Sequence, residues 1–181
     1  MLISFTIGNH LSIKDRRRFS LEASTVREFK ETNTFDTSIT DLHLLKGAAL
    51  YGPNASGKSN LLKALGFITR FAKDSAKAFQ PNDELPYTPF RLSTETLDKP
   101  SFFEIEFIHQ KTKYRYSFEL TDKEIVSEKL HFQKKIKEYL IFERKGHDIH
   151  VGEDFSEANK IKKHTRPNAL FLSTAALLNI E

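Results

Sequence analysis

The stretch that most limits what this chain can fold into is residues 52–59, Gly-Pro-Asn-Ala-Ser-Gly-Lys-Ser, an uninterrupted G-x-x-x-x-G-K-[ST] pattern. A short apolar run, Ala48, Ala49, Leu50 and Tyr51, precedes it, and Leu61, Leu62, Ala64 and Leu65 follow it. That order predicts a strand, a glycine-rich loop and a helix, the setting in which such a loop wraps phosphate. Gly52 and Gly57 let the backbone turn through conformations that a Cβ resists, so that successive N–H groups point inward. A helix starting within or just after Ser56-Gly57 adds its unpaired first-turn donors and the positive end of its dipole. Lys58 is placed to reach β- and γ-phosphate oxygens, and the Ser59 hydroxyl to ligate a magnesium ion bridging them. The pattern therefore predicts a bound magnesium nucleoside triphosphate. Gly52, Pro53, Asn54, Ala55, Ser56, Gly57, Lys58, Ser59 and Asn60 form its expected binding set, with Ser59 the expected metal ligand. The competing reading is a glycine-rich helix start that binds nothing; the complete pattern and its flanks favour the nucleotide.

At 181 residues, with 39% hydrophobic and 29% charged side chains, the chain suits a soluble globular domain of ordinary size. The net charge of +4 permits an acidic partner without demanding one. With no cysteine, disulfide, zinc-thiolate and thiol-nucleophile chemistry are all excluded. No basic, apolar and small-residue signal opens the chain, and no apolar run approaches the ~20 residues needed to span a membrane. A cytoplasmic location is the expectation.

Leu2 to Ile7 alternates as a half-buried strand does, with Leu2, Ser4 and Thr6 on one face and Ile3, Phe5 and Ile7 on the other. A turn at Gly8-Asn9-His10 and a second β-like segment, 18–23, complete an opening hairpin. Between them Arg16-Arg17-Arg18 is the densest basic run; it is read as a solvated turn in preference to a phosphate or nucleic-acid contact, because three charges are too few for a patch. Residues 25–40 are polar and read as a loop lying before the phosphate loop. From Ser56 to about Phe71, Leu61, Leu65, Ile68 and Phe71 recur at helical spacing, and Pro81, Pro86 and Pro89 end the pattern.

Beyond Pro100 the period changes to two. Phe103, Ile105 and Phe107, then Tyr114, Tyr116, Phe118 and Leu120, alternate with polar residues, and shorter strands are expected at 126–132, 139–142 and 147–151. This is an antiparallel meander. Its rings could stack bases, but strict alternation favours a core face over a platform. His147 and His150 are spaced as a metal pair; a strand points them to opposite faces and no further ligand is near, so they are not expected to bind. After a basic link (Lys160, Lys162, Lys163, His164, Arg166) comes the most apolar run, 169–178, expected as a buried strand leading into a helix.

Two pieces of a nucleoside triphosphatase do not occur. No run of four apolar residues ends in an acidic pair, the strand that supports magnesium and activates water. No second Ser-Gly pair exists outside the loop.

With these pieces placed, the chain resembles the N-terminal part of an ABC-class ATPase of the RecF, SMC and OLD-like group, closest to prokaryotic AAA-family ATP-binding proteins of abortive-infection and other anti-phage systems. The residues that carry this are Ile3-Ser4-Phe5 to Asn9, Ser12-Ile13-Lys14-Asp15, Phe19-Ser20-Leu21-Glu22-Ala23-Ser24, the phosphate loop with its flanks, Ser101 to Ile105, Tyr114-Arg115-Tyr116 and Ala169-Leu170-Phe171-Leu172-Ser173. The resemblance implies an α/β P-loop NTPase fold, an ABC ATPase head lobe with an antiparallel β-meander subdomain, here incomplete. It divides into 1–80 (hairpin, phosphate loop and helix), 81–155 (β subdomain) and 156–181 (basic link and apolar terminal segment). It implies ATP and magnesium as cofactors, no catalytic residue in this chain, and hydrolysis not expected from it alone. The chain departs from the family by ending before the signature motif, the Asp-Glu strand and the late histidine, and Pro89-Phe90-Arg91-Leu92 stands near the expected Q-loop without a glutamine. Expected partners are a second head, or a protein carrying the missing motifs; nucleic acid is only weakly indicated, and a membrane is not expected. The alternatives are one half of a split ATPase completed by a partner chain, or a non-catalytic interaction module docking through 169–178.

Overall fold

A computed structural model describes residues 1–180 apart from Arg27 and Lys135. Its frame is one antiparallel sheet. β1 (Leu2–Gly8) and β2 (Arg17–Ser20) form the opening hairpin. β5 (Ser101–His109), β6 (Thr112–Leu120), β7 (Ile125–Lys134), β8 (Lys137–Lys145) and β9 (Asp148–Val151) form the meander. β1 also pairs with β5, so the order is β2-β1-β5-β6-β7-β8-β9 and hairpin and meander are continuous. The alternation read in the sequence sets one face of this sheet against helices.

That face is covered by α2 (Lys58–Ala78) and α3 (Phe171–Leu177). Ala64, Ile68 and Phe71 of α2 are buried against Phe103 and Phe118, with ring centroids 5.6 Å apart between Phe71 and Phe118. Truncating such a ring costs about 3–5 kcal/mol. The meander aromatics are thus core, as alternation favoured.

The opening strand differs in one respect from its expected faces. The register shifts between Leu2 and Ser4, so Ile3 leaves the face of Phe5 and Ile7 and joins a second cluster with Leu44 and Ile108. A bulge adds a residue to one strand and turns its neighbours over, which period-two counting does not register. The polar stretch 25–40 is not all loop: it holds a one-turn helix, α1 (Lys30–Asn33), and β3 (Thr34–Asp36), which pairs with β4 (His43–Leu45).

The apolar terminal run holds no strand; it enters α3 directly, and Ala169, Leu170, Phe171, Ser173, Thr174 and Ala175 are buried. Ser173 accepts from the Ala76 N–H at 3.0 Å and donates to the Lys73 carbonyl, and Ser75 accepts from the Leu170 N–H at 3.1 Å. The Ala-Leu-Phe-Leu-Ser motif is therefore a clamp on the last turns of α2. The basic link before it is a kinked 3₁₀ segment, Glu153–His164.

Candidate functional site

Lys58 opens α2, and Gly57 caps it at φ 93°, a left-handed backbone that a side chain would strain. At Gly52 an added Cβ would stand 2.9 Å from Ser56 Oγ, so the loop closes on itself only because both positions are glycine. Ala55 also has a positive φ of 63°. The result is a curl whose Gly57, Lys58 and Ser59 N–H groups have no backbone acceptor among the described residues. Unpaired first-turn donors are what a helix start presents to an anion.

The Lys58 ammonium lies across the loop, donating to the Gly52 and Pro53 carbonyls at 2.8 Å each and to Ser56 Oγ at 3.4 Å. Ser59 is exposed. Asn60 turns away from the loop and donates to Ser12 Oγ at 2.9 Å. The loop opens on a cleft of about 440 Å³ lined by Leu50, Tyr51, Gly52, Pro53, Ser56, Gly57, Lys58 and Leu61, and from the opening hairpin by Ser12, Ile13 and Arg17. Among the described residues no acidic side chain lines it. Neither Ser12 nor Arg17 was in the expected binding set, and Arg17 was read as part of a solvated turn; its one signal was the basic triplet.

The expected strand before the loop is not formed. Residues 46–51 are exposed and irregular after β4 ends at Leu45, and Tyr51 is 91% exposed. A strand exists only where a neighbour takes up its N–H and C=O groups, and among the described residues none runs beside 48–51.

Behind the cleft, the turn at 9–13 is anchored in two ways. Asn9, with φ 48°, donates to the Thr96 and Lys99 carbonyls at 2.8 and 2.6 Å and accepts from the Phe90 N–H at 2.9 Å, fixing the loop 90–100. His10 is buried against Phe67 of α2 and Phe103 of β5, with centroids 5.6 and 4.9 Å away, and burial pushes its imidazole down to about 4. The start of α2 is thus braced by the opening hairpin.

A sequence model described as "AAA domain, putative AbiEii toxin, Type IV TA system" matches residues 48–180, about three quarters of the chain. The chain belongs to this AAA family. A search of curated proteins finds no match. Membership makes the chain a nucleotide-binding, ATPase-like domain with an α/β P-loop fold. In this AAA domain the glycine curl, the free donors and Lys58 suit a polyphosphate. For magnesium the residues present offer the Ser59 hydroxyl, since among the described residues no cluster of three or more His, Asp or Glu side chains occurs; the ion would then be held jointly with phosphate oxygens. No described helix of the AAA domain is long and apolar enough to cross a membrane. β1 and β2, with Ser12 and Arg17, lie before the matched stretch.

Proposed function

We propose that this AAA domain binds magnesium-ATP at residues 52–60 as the nucleotide-binding lobe of an ABC-class ATPase head. The observation that carries the reading is the start of α2, where glycine-permitted curvature leaves three N–H donors without a backbone acceptor among the described residues, beside the Lys58 ammonium. Bound there, magnesium would neutralise charge on the phosphates. The chain's own groups would do the rest: the loop N–H groups hold phosphate oxygens, Lys58 exchanges its carbonyl partners for them, and Ser59 faces the metal. Hydrolysis also needs an acid to orient water, and among the described residues no acidic side chain lines the cleft, so turnover would require a residue brought by another part of the head or by a partner head. One half of a split ATPase completed in this way is the same chemistry. The interaction-module alternative has less behind it, because residues 169–175 are largely buried against α2 and the sheet, and of the run only its end, with Leu177 and Leu178, is exposed. The family description, with its reference to a toxin of a type IV toxin–antitoxin system, supports an anti-phage role inside the cell.

Calorimetric titration with magnesium-ATP tests the site. Wild type should bind, and Lys58→Ala, which removes a charge-assisted contact, should bind about tenfold or more weakly. Equal affinity in the two proteins would sink the assignment of Lys58.

A further inference from the structure

We propose that Arg17, beside Ser12, forms a second wall of the phosphate site, so that the polyphosphate lies between the glycine loop and β2; this rests on the nucleotide reading above. Arg17 opens β2, paired with Ile7 of β1, and lines the same cleft as Gly52, Ser56, Gly57 and Lys58. Its two neighbours are engaged elsewhere. Arg16 stacks over Phe102 at 3.6 Å and pairs with Glu119 at 3.0 Å. Arg18 pairs with Glu22 at 2.9 Å and Glu106 at 3.3 Å. Among the described residues Arg17 has no acidic partner.

Two cations, Arg17 and Lys58, therefore face one cleft that among the described residues holds no carboxylate. Such an arrangement repels itself and attracts a polyanion. The turn carrying β2 is also fixed to the loop: Ser12 Oγ takes the Asn60 hydrogen bond and sits 3.1 Å from where a Cβ on Gly57 would stand. The planar fork of a guanidinium matches paired phosphate oxygens, whereas an ammonium acts as a point charge. Arg17 and Lys58 thus divide the recognition of one phosphate chain.

The experiment measures binding of magnesium-ATP and of magnesium tripolyphosphate to wild type, Arg17→Ala, Arg17→Lys, Arg16→Ala and Lys58→Ala, with melting curves in buffer alone to establish that each variant folds. Arg17→Ala should weaken both ligands about tenfold, Arg17→Lys should recover part of the loss, and Arg16→Ala should change neither ligand by more than about twofold. Arg17→Ala binding as wild type does, while Lys58→Ala fails, overturns this proposal and leaves the nucleotide site standing. Weakening for ATP but not for tripolyphosphate also overturns it, since Arg17 would then contact the base. A wild type that binds neither ligand overturns the nucleotide reading itself.

Discussion

Glu128 of β7 and Arg144 of β8 stand opposite each other in the sheet, both on the helix-covered face and both almost fully buried. Glu128 accepts from the Phe171 and Leu172 N–H groups at 2.6 and 3.0 Å and from the Tyr116 hydroxyl at 2.8 Å, while Arg144 donates to the carbonyls of Gly146, Ala169, Arg166 and Pro167. Burial pushes the Glu128 carboxyl up, against those N–H groups and the guanidinium, which favour the carboxylate. Together the two charges fasten the start of α3 to the sheet. Glu128→Ala removes the counter-charge and two acceptors at once and should lower unfolding free energy by about 3–5 kcal/mol in urea titration. Glu128→Gln keeps an acceptor in the same shape and should cost about half as much or less. An acid on the apolar face of one strand and a base on that of the next are visible in the alternation of Glu128 with Leu130 and of Phe142 with Arg144. Their meeting required the register. His10 gives a different test. Its imidazole falls from 6.5 to about 4 in the folded protein, so between those values the unfolded chain binds the extra proton. Its contribution is whole above pH 6.5 and is lost as pH falls to about 4, by about 3 kcal/mol. His10→Phe, which keeps the ring between Phe67 and Phe103, should flatten that part of the acid slope; an unchanged slope would show that His10 does not carry it.

At the scale of elements, α2 was legible because its apolar stripe runs on from the loop glycines, and it extends past Phe71 to Ala78 because Ser75 and Ala76 are buried against α3. The five strands of the meander were legible for the same reason: one face of each is core. What escaped were pieces whose existence depends on a partner. β3 and β4 are three residues each, too short to show a period, and hold by pairing with each other. The 3₁₀ segment Glu153–His164 buries only Ala158 and Ile161 of its twelve residues, so its composition reads as a polar link. The run 48–51 shows the reverse case, apolar enough for a strand and without a neighbour to make it one.

At the scale of the whole molecule, the sheet joins the two ends of the chain's first hundred residues: β1 contributes Phe5 and Ile7 to the core that β5 and β6 complete. The phosphate loop is hung from this body by α2 and by the turn at 9–13, and so the site could be named from eight residues while its second wall could not. Arg17 lies 35 positions before Gly52 in the chain, and only the pairing of β1 with β2 and β5 brings it to the cleft.

The approach to the loop, finally, is backbone with little to hold it: among the described residues no backbone acceptor takes the N–H groups of residues 48–52. Amides of this kind exchange with solvent at close to the rate of an open chain, while those of α2, a few residues on, are sheltered by its core face. A boundary in deuterium uptake should therefore fall at Asn60, the first α2 residue whose N–H is bonded, and chymotrypsin should cut first at Tyr51. Saturating magnesium-ATP should slow both processes at 50–59 and leave β6 and β7 unchanged; uptake at 48–52 as slow as that in α2 without ligand would contradict this. A loop that gains its order from its ligand surrenders part of the binding energy to that ordering, so calorimetry should show magnesium-ATP binding here with a favourable heat offset by an unfavourable entropy.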